Sequence, residues 1–208
     1  MSLKPLNCRV AVLGNVSVGK TCIVEWFSTS EFKPDSHPTI GAAFKSFSLP
    51  VNEKIVELQV FDCAGNERFN MLLPMYLRGV TSVILVYSVN DPDSRKDILK
   101  RWYEFIQNHP ITNIYLVENK NDLLVESTSQ DFTKSCAALY KQLPDLKQIH
   151  AFSTSAKTGS GIKELFSQIA EDCYLRNVDP LPDDIVKPTI VLTKKNSQTK
   201  VGSMCCYS

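Results

Sequence analysis

No apolar run in the 208-residue chain reaches the roughly 18 residues that a membrane-spanning helix needs. Met1 to Asn7 does not read as a secretory leader. The net charge is only +1, and no basic stripe interleaves with aromatics, so the electrostatic footprint of a nucleic-acid binder is missing. There are three histidines, His37, His109 and His150, and they stand apart. No Cys/His set has zinc spacing, so the histidines are expected in surface or capping roles. The seven cysteines show no paired framework spacing, which predicts reduced thiols in the cytosol. Of these, Cys8, Cys22, Cys136 and Cys173 fall in strand or helix patterns and read as small core residues. There is no internal repeat.

Glycine is also scarce, eight in all, yet two fall in one loop: Gly14-Asn15-Val16-Ser17-Val18-Gly19-Lys20-Thr21. This is a complete G-x-x-x-x-G-K-S/T phosphate loop between an apolar run, Cys8 to Leu13, and a helical pattern from Thr21 to Phe27. That strand–loop–helix context separates a working P-loop from a chance glycine turn. Successive backbone N–H groups converge on a phosphate there, aided by the positive end of the helix dipole. Lys20 would place a cation on the β- and γ-phosphates, and the Thr21 hydroxyl can bind Mg²⁺.

Further sites follow later strands. Asn119-Lys120-Asn121-Asp122 comes after the apolar run Ile114 to Val117. The Asp122 carboxylate suits guanine, because it can accept from both N1–H and the exocyclic N2–H in a bidentate way. Asn119 would tie this loop to the P-loop, and the Lys120 stem can lie along the base face. Ser155-Ala156-Lys157 follows the strand-like run Ile149 to Ser153, and the Ala156 N–H could meet guanine O6. Between these lies Asp62-Cys63-Ala64-Gly65-Asn66, where Asp62 can hold Mg²⁺ and the Gly65 N–H can reach a γ-phosphate oxygen. The Thr39 hydroxyl, in a polar loop, would complete the Mg²⁺ shell only when a γ-phosphate is present. Two loops ordered by GTP and released with GDP are the physical basis of a switch. Each short motif alone is weak. Their order, each at a strand's carboxyl end, fits ligand binding by an open α/β sheet.

The alternation of patterns predicts an α/β fold of the P-loop NTPase kind. Its sheet is six-stranded and mostly parallel, with one antiparallel edge strand and helices on both faces. Strands are expected near 7–13, 44–50, 55–61, 82–87, 113–118 and 148–153, and helices near 20–28, 67–77, 94–107, 130–142 and 160–175. Leu49 to Glu53 reads as the turn of a hairpin. Trp102 and Phe105, and Leu165, Phe166 and Ile169, have the spacing of core stripes. One domain, 1–176, is expected, followed by a tail over 177–208. From Lys187 the tail is polar, with four lysines and no acid, and reads as a flexible linker.

These residues resemble the Ras superfamily of small GTPases, and the Rab branch in particular, over roughly residues 6–175. The Rab-like segments are Ile40 to Phe44, Glu57 to Asp62, Ala64 to Phe69 and Tyr76 to Gly79. The Ile40-Gly41-Ala42-Ala43-Phe44 form, with Leu73-Pro74-Met75-Tyr76, is most similar to the early-endosomal Rabs. Cys205-Cys206-Tyr207-Ser208 resembles the double-cysteine prenylation signal, which two lipid chains would turn into a stable anchor.

The resemblance implies GTP and GDP as ligands with Mg²⁺ as cofactor. The implied nucleotide contacts are Asn15, Val16, Ser17, Val18, Gly19, Lys20, Thr21, Cys22, Phe32, Thr39, Gly65, Asn119, Lys120, Asp122, Ser155, Ala156 and Lys157. Lys20 and Asn66 take the catalytic roles, and Thr21, Thr39 and Asp62 hold the metal. Ile40, Phe44, Phe61 and Tyr76 form the effector surface, and Cys205 and Cys206 carry lipid. Implied partners are an exchange factor, an activating protein, a GDP dissociation inhibitor, a prenylation escort and effectors. The expected place is the cytosolic face of intracellular, endosomal membranes, with a soluble pool.

Departures from the family pattern bear on rate. Asn66 stands where a water-orienting Gln is usual, and it is one methylene shorter. Val16 crowds a P-loop position where small residues are usual. Phe61 replaces a Trp, Cys63 a Thr, and Glu118 a Gly. Slow intrinsic hydrolysis is therefore expected. A non-hydrolysing GTP-bound scaffold is the alternative. A P-loop kinase is disfavoured, because no Arg-rich lid accompanies the guanine reader.

Overall fold

The computed structural model describes residues 5–34, 37–124, 148–178 and 191–192. The helix expected over 130–142, together with Cys136, Cys205 and Cys206, lies outside the described residues. The chain runs β1 (Leu6–Leu13), α1 (Lys20–Thr29), β2 (Ala42–Val51), β3 (Lys54–Cys63), a 3-10 helix (Glu67–Leu72) and α2 (Leu73–Leu77). It continues through β4 (Ser82–Ser88), α3 (Pro92–Asp97), a π-helical turn (Ile98–Trp102) and α4 (Tyr103–Ile106). Then come β5 (Asn113–Asn119), β6 (Gln148–Ser153), α5 (Ile162–Val178) and β7 (Val191–Leu192).

The strands lie in the order β2-β3-β1-β4-β5-β6-β7, and only the β2–β3 pairing is antiparallel. These are the six strands expected from sequence and one more. The addition is β7, two tail residues paired parallel to β6 with His150 opposite Val191 and Ala151 opposite Leu192. At the other edge, Pro50 and Val51, read from sequence as turn residues, belong to β2, and the turn narrows to Asn52-Glu53. Pro50 is tolerated because β2 is an edge strand, where a missing N–H breaks no ladder.

Every residue of β4 and β5 is buried, as befits central parallel strands covered on both faces. On one face Val10, Val12, Ile84, Val86 and Val117 pack under α1 and α5 with Ile23, Phe166 and Ile169. Phe166 stacks on Phe27, ring centroids 4.0 Å apart. On the other face Ala11, Leu13, Leu85 and Tyr87 meet Leu73, Ile98 and Trp102. Burying each large side chain contributes about 1.5–3 kcal/mol, so the two layers fix the sheet rigidly beneath its loops. Phe105, expected in the core stripe, is only half-buried.

Two sequence expectations are corrected here. His150 is buried, not at the surface: it stacks on Tyr115, ring centroids 5.3 Å apart, and its Nε2 lies 3.0 Å from Asp172 Oδ2. The helix expected over 94–107 is not uniform. It starts at Pro92, where Asp91 Oδ1 accepts from the Asp93 and Ser94 amides, and it widens into the π turn at Ile98.

Candidate guanine-nucleotide site

A cleft of about 670 Å³ opens where the loops after β1, β3, β5 and β6 meet Phe32, Pro34 and His37 to Ile40. Val16, Ser17, Gly19, Lys20, Thr21, Cys22, Phe32, Thr39, Gly65, Asn66, Asn119, Lys120, Asp122, Ala156 and Lys157 all line it. Three sequence-assigned residues support it from behind. Val18 is buried in the core, so it can offer only its backbone. Asn15 turns its side chain away, toward α3 and the π turn. Ser155 is buried, and its Oγ donates to Asp122 Oδ1 at 2.5 Å.

At the phosphate end, Lys20 donates from Nζ to the carbonyls of Gly14 (2.9 Å) and Asn15 (2.8 Å). The ammonium is thereby held across the loop mouth. Burial pushes its pKa down to about 8, and the Asp62 carboxylate partly opposes that shift. Phosphate oxygens are better partners for such a desolvated cation than carbonyls are.

The three metal candidates converge. Thr21 donates from Oγ1 to Asp62 Oδ2 at 2.6 Å, and Thr39 Oγ1 lies 3.0 Å from Thr21 Oγ1. Asp62 is buried, burial raises its pKa, and its Oδ1 has no hydrogen-bond partner. An orphaned buried carboxylate oxygen beside two hydroxyls is an all-oxygen set, which fits a hard cation such as Mg²⁺. Gly65 is buried against the P-loop: a Cβ there would stand 2.5 Å from the Asn15 carbonyl carbon and 2.6 Å from Val16 N.

At the base end, Asn119 does the tying expected of it. Its Nδ2 donates to Val18 O at 2.8 Å, and its Oδ1 accepts from Thr154 Oγ1 at 3.1 Å and from Ala156 N at 3.2 Å. The Ala156 N–H assigned from sequence to guanine O6 is therefore already engaged, and it could serve the base only as a shared donor. Ser155 Oγ also accepts from the Lys157 and Thr158 amides, so the loop carrying Asp122 is braced on one hydroxyl. Glu118 is buried, and Tyr87 Oη donates to it at 3.0 Å.

Asn66 is exposed and caps the 3-10 helix, its Oδ1 accepting from Arg68 N at 3.0 Å. Val16, which lines the same cleft, is half exposed. On the outer face, Ile40 and Phe44 are exposed, and the Phe44 and Phe61 rings lie 5.3 Å apart. Tyr76 is half-buried beside Gly41. Met75, part of the Leu73 to Tyr76 segment, is exposed on the neighbouring turn, and so are Met71 and Leu72, which were not singled out from sequence.

A P-loop joined by one asparagine to an N-K-x-D loop, with an all-oxygen cation pocket beside it, defines a guanine-nucleotide-binding P-loop protein. A model of the Ras family matches residues 9–175. The chain is 33% identical over 210 residues to Ras-related protein Rab-24 of Dictyostelium discoideum, covering 99% of this chain and 100% of that one. It is 35% identical over 206 residues to Ras-related protein RABF2b of Arabidopsis thaliana (98% and 96%), and 30% identical over 203 residues to Ras-related protein Rab5 of Nicotiana tabacum (97% and 96%). The chain belongs to the Ras family, in its Rab branch, and is a GTPase that serves as a switch in vesicle traffic.

Proposed function

We propose that this GTPase is a membrane-anchored switch of endosomal traffic with slow intrinsic hydrolysis, GTP plus water giving GDP plus phosphate. One observation carries the switch: Thr39, from the loop after α1, meets the Thr21 hydroxyl, which in turn donates to Asp62. Thr21, Thr39 and Asp62 would hold Mg²⁺, which would neutralise charge on the β- and γ-phosphates. Lys20 and the P-loop amides would stabilise the same charge, and Asp122 would select guanine. The exposed Ile40 and Phe44, with Phe61 and Tyr76, would receive effectors when the loops close. An exchange factor, an activating protein and a GDP dissociation inhibitor would set the cycle. The early-endosomal assignment rests on the resemblance of Ile40 to Phe44 and Leu73 to Tyr76.

Slow turnover follows from Asn66. Its carboxamide oxygen is committed to the Arg68 amide, and its reach is short. A misplacement of about 1 Å can cost on the order of 10²-fold in rate. Single-turnover phosphate release from Mg²⁺–GTP, without activator, is expected near the ~10⁻⁴ s⁻¹ of unaided small GTPases or below. Asn66→Gln is expected to raise it about ten- to a hundredfold, the range that misplacement allows. An unchanged rate in that variant would remove the main support for slow hydrolysis. Firm retention of GTP with no release would favour the second reading, a GTP-bound scaffold, to which half-exposed Val16 also contributes.

Among the described residues no helix is long and apolar enough to cross a membrane. Anchoring is assigned, from the resemblance of Cys205 and Cys206 to a double-cysteine prenylation signal, to lipid attached there with a prenylation escort. Two chains bind stably where one is marginal. Replacing both by serine is expected to move the protein from the membrane pellet to the soluble fraction in cell fractionation. Persistent pelleting would reject the anchor.

A further inference from the structure

The π turn Ile98–Trp102 touches both walls of the gap where a γ-phosphate would sit. Asp97 and Trp102 are five residues apart. On an α-helix five steps would place them about 140° apart around the axis. The π turn, closed by Tyr103 N–H to Ile98 O, brings them to one face. Both then grip Asn15: its Nδ2 donates to Asp97 Oδ2 at 2.7 Å, and its Oδ1 accepts from Trp102 Nε1 at 2.7 Å. The P-loop side of the gap is thereby fixed.

Arg101 holds the other side. Its Nη2 donates to Asn70 Oδ1 at 3.0 Å and to the Gly65 carbonyl at 3.4 Å, and its Nη1 lies 3.6 Å from Glu67 Oε1. The guanidinium is mostly buried and lies over the Trp102 ring, 4.4 Å from the centroid. A planar fork stacked on an aromatic is pre-organised to meet several oxygens at once, which a lysine cannot imitate. Its acceptors all belong to the segment Gly65–Asn70, whose first residue is drawn against Asn15 and Val16.

We infer that Arg101 is a positioning residue that clamps the segment Gly65–Asn70 onto the P-loop and so favours the GTP-bound state over the GDP-bound state. The inference rests on the switch reading above. A contact made only when Gly65 is closed against the P-loop adds to the affinity of the ligand that needs closure, and nothing to the other.

The test uses the full chain with Mg²⁺. Affinities for a non-hydrolysable GTP analogue and for GDP are measured for wild type, Arg101→Ala, Arg101→Lys and Asn70→Ala. Arg101→Ala is expected to weaken the GTP analogue about tenfold, within the usual range of site coupling, and to leave GDP within about twofold. Intact GDP binding also shows that the variant is folded. Arg101→Lys is expected to restore less than half of the loss. Asn70→Ala is expected to shift the ratio in the same direction, and adding it to Arg101→Ala should cost less than the sum. Equal weakening of both nucleotides, or no change in either, would overturn the clamp alone. Failure of wild type to bind either nucleotide would overturn the switch reading and the clamp with it.

Discussion

Gly65→Ala is expected to leave GDP binding near the wild-type level while removing the preference for GTP. The new Cβ would stand 2.5 Å from the Asn15 carbonyl carbon, 2.6 Å from its oxygen and 2.6 Å from Val16 N. All three are backbone atoms, so no rotamer change relieves the clash. Gly65 is required there for space and not for an unusual φ, since it is not among the positive-φ glycines. Closure would have to proceed with the β3 loop displaced from the P-loop. Overpacking of this kind costs about 1–3 kcal/mol, which is roughly five- to 150-fold in the affinity of the closed state. Isothermal titration with GDP and with a non-hydrolysable GTP analogue would show it. A wild-type affinity ratio in the variant would mean that the closed arrangement is not the GTP-bound one.

Asp122→Ala carries the second large effect. Hydrogen bonds to a charged group are worth about 1.5–3 kcal/mol each, so losing two should weaken GTP by about a hundredfold or more. The sharper readout is selectivity. ITP lacks the exocyclic amine and offers only N1–H to the carboxylate. Wild type should therefore favour GTP over ITP by about ten- to a hundredfold. In Asp122→Ala the two should bind alike. A persisting preference for GTP would move base recognition elsewhere in the cleft. Ser155, whose hydroxyl now donates to Asp122, would lose that acceptor while still receiving the Lys157 and Thr158 amides. The loop should therefore keep its shape, and the loss should report on the base.

The nucleotide cleft was legible because its parts are local. Each motif sits within a few residues of a strand's carboxyl end, and the sheet order then brings the loops together. Asn119 is a long-range tie anticipated from sequence, and its bonds to Val18 and Ala156 are present. Residues that depend on a distant partner were not legible. His150 read as a surface histidine because its partners, Tyr115 and Asp172, come from a different strand and from α5. Asp97, Trp102 and Arg101 were hidden for another reason. Helical spacing predicts core contacts from α-periodicity, and their shared reach to the gap exists only where the helix widens to i→i+5. The direction of the Asn15 side chain was hidden too, since nothing in the P-loop pattern says that it faces Asp97 and Trp102.

If the chain is tethered through lipid as proposed, the pairing of Val191 and Leu192 with β6 would change the length of that tether. Cys205 lies twenty-seven positions beyond Val178, the end of α5, a reach of at most about 95 Å. Counted from β7 only thirteen remain, about 45 Å. With lipid on Cys205 and Cys206, the free edge of the sheet would therefore set the working height of the domain above a bilayer. Releasing two residue pairs would roughly double it.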